Sequence, residues 1–110
     1  MHKNPISIEE VKEKTVPIFR THPVVKVLLF GSYAKNEATD NSDIDLYIDS
    51  AGKLRGLDFV GLLEKLVDTL GKDVDLIDKT HIEPNSIILQ EIENGGIVLY
   101  EKSEAFNKNN

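Results

Sequence analysis

Two short motifs carry the side chains of this sequence that are best suited to chemistry. The first is Gly31-Ser32, directly after an apolar segment, and the second is Asp43-Ile44-Asp45, separated from Ser32 by ten residues. On a β-strand, side chains two positions apart share a face, so Asp43 and Asp45 can bind the same divalent ions. A Gly-Ser step at the start of a helix offers main-chain N–H groups and a hydroxyl to a phosphate. Together the motifs predict metal-assisted nucleotidyl transfer.

The elements that must position these residues indicate an α/β (α+β) fold, a small mixed β-sheet with helices on one face. Strands are predicted over residues 24–30, 43–49, 74–78 and 97–100. A first helix follows a capping box made by Ser7 and Glu10, and Pro17 predicts that it kinks or stops near Val16. Further helices are predicted over 59–70, over 84–94 and, in short form, from the Gly-Ser step to Asn36. The helix over 59–70 should cover the sheet with an apolar stripe of Phe59, Val60, Leu63, Leu66, Val67 and Leu70.

A third carboxylate completes the predicted site. Matching the apolar sides of the strands places Asp75 on the same open face as Asp43 and Asp45. These three aspartates would hold two Mg²⁺ ions, with Asp75 also helping the acceptor to lose its proton. Gly31 and Ser32 would hold the departing phosphates, and Lys35 could add a point charge. The structural alternatives are turn or capping roles for the aspartates and a solvated position for Lys35.

Composition limits the possible functions. The 110 residues suit a single domain over 1–110, ending in a polar tail from about 101. With no cysteine and three scattered histidines, a metal would be held by carboxylates, which favour Mg²⁺ or Mn²⁺. The net charge of −6 argues against direct nucleic-acid binding. No segment is apolar enough to cross a membrane, and we expect a cytoplasmic protein.

These residues resemble the MNT-type minimal nucleotidyltransferases, a branch of the DNA polymerase beta-like superfamily. The family motif matches Gly31, Ser32, Asp43 and Asp45, and its later single aspartate matches Asp75. The resemblance implies Mg²⁺ at the aspartates and ATP as the donor. It also implies an antitoxin that acts as a protein adenylyltransferase, transferring AMP to a tyrosine of a HEPN-type ribonuclease toxin. Because no added acceptor domain is present, the partner would supply part of the acceptor site.

The sequence is also compatible with two other functions. One is an antitoxin that neutralises its toxin by binding alone, and the other is a nucleotidyltransferase acting on a small molecule such as an aminoglycoside. Relatives usually carry an Arg-Gly pair where this chain has Lys35-Asn36. A lysine lacks the bidentate grip of a guanidinium on phosphate, so this departure bears on triphosphate affinity.

Overall fold

The computed structural model describes residues 6–102, which form three helices, four strands and one short 3-10 turn. In chain order these are α1 (Ile8–Arg20), β1 (Lys26–Phe30), β2 (Ile44–Asp49), α2 (Leu57–Leu70), β3 (Val74–Asp78), the 3-10 turn (Lys79–His81), α3 (Ile87–Gly95) and β4 (Ile97–Glu101). The predicted small mixed sheet is confirmed. The predicted polar tail lies mostly outside the described residues, which end at 102. No helix among residues 6–102 is both long enough and apolar enough to cross a bilayer.

The sheet has the strand order β3-β2-β1-β4. β1 runs antiparallel to both β2 and β4, whereas β2 and β3 are parallel and are connected through α2. In this register Asp45 lies opposite Phe30 on one side and opposite Asp75 on the other. Paired residues of neighbouring strands share a face, so the two aspartates are direct neighbours.

The main core lies between one face of the sheet and the helices α1 and α2. The sheet contributes alternate residues of its two central strands, and each helix contributes a buried stripe. In α2 that stripe is Leu62, Leu66 and Leu70, whereas Val60 remains 44% exposed. The predicted helix is therefore confirmed. Its predicted buried face is rotated relative to the observed one, because the prediction included Val60 and omitted Leu62. The fully buried residues of this core include Val11, Phe19, Val27, Leu29, Ile44, Leu46, Ile48, Leu62 and Leu66.

The third helix lies on the opposite face of the sheet. Ile92 of α3 packs against Leu28 and Tyr47, which point away from α1 and α2. The prediction that all helices share one face is therefore wrong for α3. The physical reason is that Leu28 and Tyr47 form an apolar surface in the middle of the sheet face that carries Asp45 and Asp75, and α3 removes that surface from water. On this face Asp45 and Asp75 lie at one end of the sheet, where Asp75 is exposed.

The end of α1 and the start of α3 differ most from the predicted helix boundaries. Ser7 caps α1 by accepting a hydrogen bond from the Glu10 N–H, as predicted, but α1 continues through Pro17 to Arg20. Because proline has no N–H, the Glu13 carbonyl lacks its usual helical donor. Both Pro17 and Glu13 are exposed, so water can bind that carbonyl. The helix α3 begins at Ile87 instead of residue 84, because Asn85 is left-handed (φ 67) and Ser86 is the N-cap.

Candidate active site

The carboxylates of Asp45 and Asp75 form the centre of the candidate site. Asp45 and Asp75 are paired in the register of β2 and β3, and Asp43 lies immediately before β2 with its charge close to Asp45. Burial raises the pKa of Asp45 to about 6, with further contributions from the negative charges of Asp75 and Asp43. The structure therefore brings together the three aspartates that the sequence predicted on one face. Such crowding of like charges is common at functional sites.

Gly31 brings the main chain of the Gly-Ser step against this cluster. Its φ of 74 lies in the left-handed region, and a Cβ atom at this position would collide with the Asp45 carboxylate. Glycine is therefore required here both by backbone conformation and by space. The predicted phosphate-binding motif and the predicted metal-binding motif are in contact.

The segment after Gly31 is one closed turn, and the helix predicted through Asn36 is wrong. The Lys35 N–H donates to the Gly31 carbonyl at 3.1 Å, but Asn36 then takes a left-handed conformation with φ 62. The N–H groups of Asn36 and Glu37 donate to the carbonyls of Tyr33 and Ser32, respectively.

These two bonds around a left-handed residue are those of a Schellman motif, which ends a helix. The segment therefore stops after a single turn. Its first N–H groups remain available to a ligand, but a single turn adds little helix dipole.

Lys35 lies at the other side of this turn. It is exposed and lines a small cavity of about 50 Å³ between the turn and α3, together with Phe30, Gly31, Ala34, Glu91 and Gly95. It is thus close to the Gly-Ser step, whereas the structure places no contact between Lys35 and the three aspartates. Its predicted role toward phosphate stays a prediction.

The loop before Asp43 is held by polar contacts. Thr39 and Ser42 bond to each other through both main chain and side chain, at 2.8 Å for the Thr39 N–H to the Ser42 hydroxyl. The Lys72 ammonium, in the turn between α2 and β3, donates to the Asp40 carbonyl at 2.8 Å. Sequence reasoning did not single out Lys72, because a bond between positions 32 residues apart leaves no local pattern.

A buried acid outside this cluster, Asp78, has a structural role. It is 1% exposed and accepts hydrogen bonds from the hydroxyl groups of Ser50 and Thr80. His81 closes the same corner, because its Nδ1 accepts the Asp78 N–H. These contacts fix the end of β3, three residues beyond Asp75.

Comparison with known proteins identifies the family. Residues 13–105 match the family model described as "Polymerase beta, Nucleotidyltransferase". The chain belongs to the polymerase beta nucleotidyltransferase family. Its resemblance to that superfamily, inferred from the Gly-Ser and Asp-x-Asp motifs, is confirmed.

Individual relatives of this nucleotidyltransferase are similar over most of its length. A Methanocaldococcus jannaschii protein named "putative protein adenylyltransferase" is 39% identical over 79 residues, covering 72% of this chain and 85% of the relative. A solved toxin–antitoxin structure with AMP-PNP is 26% identical, with a TM-score of 0.72 over 87% of this chain and 77% of that chain. A solved "putative minimal nucleotidyltransferase" is also 26% identical, with a TM-score of 0.71, covering 84% and 95% of the respective chains. The nucleotidyltransferase-like fold is thus shown.

The donor set at the site suits a hard divalent cation. Three carboxylates provide only oxygen ligands, and the negative charges of Asp75 and Asp43 both act on Asp45. Among the described residues, however, no three His, Cys, Asp or Glu side chains are already arranged around a common metal position. The carboxylates of this nucleotidyltransferase would therefore have to reorient to share an ion.

Proposed function

We propose that this nucleotidyltransferase transfers AMP from ATP to a hydroxyl group of a partner protein. The observation that carries the proposal is the contact between the Gly31 main chain and the carboxylate of Asp45. It puts donors suited to a triphosphate beside acids suited to the reaction at its α-phosphorus. The similarity to a named adenylyltransferase and to a structure with AMP-PNP supports the choice of ATP.

In the proposed reaction the acceptor oxygen forms a bond to the α-phosphorus of ATP. The bond from that phosphorus to the oxygen bridging the α- and β-phosphates breaks, and pyrophosphate leaves. Asp75, which is exposed on β3, takes the proton of the acceptor hydroxyl. Ser32 and the N–H groups of its turn bind the departing phosphates, whose negative charge grows as the bond breaks.

Asp43, Asp45 and Asp75 would hold two Mg²⁺ ions in this proposal. When bound, such ions neutralise charge on the attacking and leaving oxygens. The protein's own contribution is to orient the ligands: the β2–β3 register fixes Asp45 beside Asp75, and the loop before β2 presents Asp43. The net charge of −6 would be offset locally by the cations.

The proposed acceptor is a tyrosine of a HEPN-type ribonuclease toxin, and the protein would act as the antitoxin. Likeness to a chain of a solved toxin–antitoxin structure supports a protein partner over a small molecule. The chain would act in the cytoplasm as a single minimal domain over residues 1–110, with the partner completing the acceptor site.

The test is transfer of label from α-phosphate-labelled ATP, with Mg²⁺, to proteins of the source cell. We expect one labelled protein, lost with Asp43→Asn and retained with Asp40→Asn, which removes a neighbouring carboxylate outside the proposed ligand set. Mass spectrometry then identifies the modified residue. Absence of labelled protein despite Mg-ATP binding would instead favour a small-molecule acceptor, and absence of ATP binding would favour an antitoxin that acts by contact alone.

A further inference from the structure

We infer that Lys72 is a positioning residue that holds Asp43 at the active site through the main chain of its loop. This inference rests on the proposed function, because it assigns Asp43 to the Mg²⁺ site. Lys72 would touch neither nucleotide nor metal. Its ammonium would act by fixing the loop of residues 39–43, from which Asp43 projects.

The loop has little packing of its own. Within residues 39–43 only Ser42 is partly buried, and the other four residues are exposed. A cleft of about 350 Å³ lies between the loop and the segment that joins α2 to β3. Hydrogen bonds, instead of apolar contacts, must therefore hold this loop in one position.

The internal bonds of the loop fix its shape but not its place. Thr39 and Ser42 bond to each other, and the Asn41 N–H donates to the Thr39 hydroxyl at 3.2 Å. A loop held only by such bonds could still move as a unit across the cleft.

Two hydrogen bonds among the described residues join the loop region to the turn before β3. The Ile44 N–H donates to the Asp73 carbonyl at 3.0 Å, where β2 begins. The other bond is the 2.8 Å contact from the Lys72 ammonium to the Asp40 carbonyl. Asp43 lies between Asp40 and Ile44, the two residues that these bonds attach. The Ile44 bond holds the end of the loop that continues into β2, and the Lys72 bond holds the other end. A charged donor also makes this bond stronger than a neutral one.

The turn that carries Lys72 is itself well defined. Gly71 ends α2 in a left-handed conformation with φ 67, and its N–H donates to the Val67 carbonyl at 2.8 Å. Lys72 therefore extends from a rigid helix end to a loop that lacks a core. The simpler alternative is a solvated lysine whose bond to Asp40 has no effect on the site.

The two readings differ in what Lys72→Met should change. If Lys72 positions Asp43, the metal-free loop of the variant should exchange its amide hydrogens faster at residues 39–43. Its Mg²⁺ dissociation constant should rise about tenfold, a size typical of lost support around a metal ligand. Lys72→Arg, which keeps a charged donor, should restore both properties to within about twofold. The matched control is Lys65→Met, which removes an exposed lysine from α2.

The experiment combines hydrogen exchange read by mass spectrometry with calorimetric titration of Mg²⁺, using the full chain. Faster exchange together with weaker Mg²⁺ binding in Lys72→Met, reversed in Lys72→Arg and absent in Lys65→Met, would support the inference. Normal Mg²⁺ binding by Lys72→Met would overturn it, as would failure of the arginine variant to restore binding.

Failure of the proposed function is distinguishable from failure of this inference. If the wild-type protein neither binds Mg²⁺ nor labels a partner, the proposed function is wrong, and the inference about Asp43 is wrong with it. If the wild-type protein does both and Lys72→Met does so equally well, only the role of Lys72 is wrong.

Discussion

The main chain of Gly31 lies so close to the Asp45 carboxylate that no side chain fits between them. This contact joins the turn after β1 to the second residue of β2, two segments that approach because β1 and β2 are antiparallel neighbours. It places the N–H groups that we assign to phosphate beside the acids that we assign to metal.

Gly31→Ala is expected to abolish nucleotidyl transfer. Its Cβ would displace the Asp45 carboxylate, and the left-handed backbone would add strain of about 1–3 kcal/mol. Gly52→Ala is the matched control, because Gly52 has a similar φ of 75 but open space around its Cβ position. Transfer assays and thermal unfolding of both variants separate the collision from the strain. Equal loss of activity in the two variants would contradict the role of the contact.

The stability of the metal-free protein should depend on pH through Asp45. Its pKa is raised from 3.8 to about 6 in the folded protein, so the native state binds this proton more tightly than the unfolded chain does. The contribution of Asp45 to stability is therefore fully present below about pH 4 and is lost as the pH rises through about 6. Asp45→Asn should be more stable than wild type at pH 7, with the difference disappearing toward pH 4.

Thermal unfolding in a chelator from pH 4 to pH 7.5 measures this difference. Asp68→Asn, which removes an exposed carboxylate on α2, shows what loss of a surface charge does by itself. A constant difference between wild type and Asp45→Asn across the whole range would show that the proton on Asp45 is not coupled to folding.

The site was largely predictable from the sequence because its determinants are local or follow strand periodicity. Alternation along β2 and β3 is enough to put Asp45 and Asp75 on one face, and the parallel register then makes them neighbours. Gly31 follows a strand directly, where a turn must begin. The bounds of β3, Val74–Asp78, were predicted for the same reason.

The features that were missed depend on contacts distant in sequence or on one backbone conformation. The position of α3 depends on Ile92 meeting Leu28 and Tyr47, which no periodicity reveals. The turn after Gly31 ends early because Asn36 is left-handed, a conformation that asparagine adopts only in some contexts.

Magnesium is expected to stabilise the wild-type protein against unfolding. The cation would offset the repulsion among the three aspartates, and binding to the folded state alone contributes about 2.7 kcal/mol at a concentration 100 times the dissociation constant. The rise in melting temperature with Mg²⁺ should be reduced strongly by Asp43→Asn and by Asp75→Asn. Asp40→Asn should keep the wild-type response, since only its main chain is bonded to Lys72. Equal responses in all three variants would contradict the assignment of these ligands.

Lys35 should affect ATP binding more than the chemical step. It is exposed beside the Gly-Ser turn, and an exposed charge pair contributes at most about 1 kcal/mol, so Lys35→Ala should raise the KM for ATP about fivefold at most. The kcat should change little, because Lys35 does not contact the aspartates. Lys35→Arg should equal or lower the wild-type KM through bidentate contact with phosphate. Steady-state kinetics alongside Lys53→Ala, which removes an exposed lysine from the loop before α2, measures the effect. If Lys35→Ala and Lys53→Ala have the same KM, Lys35 does not bind the triphosphate.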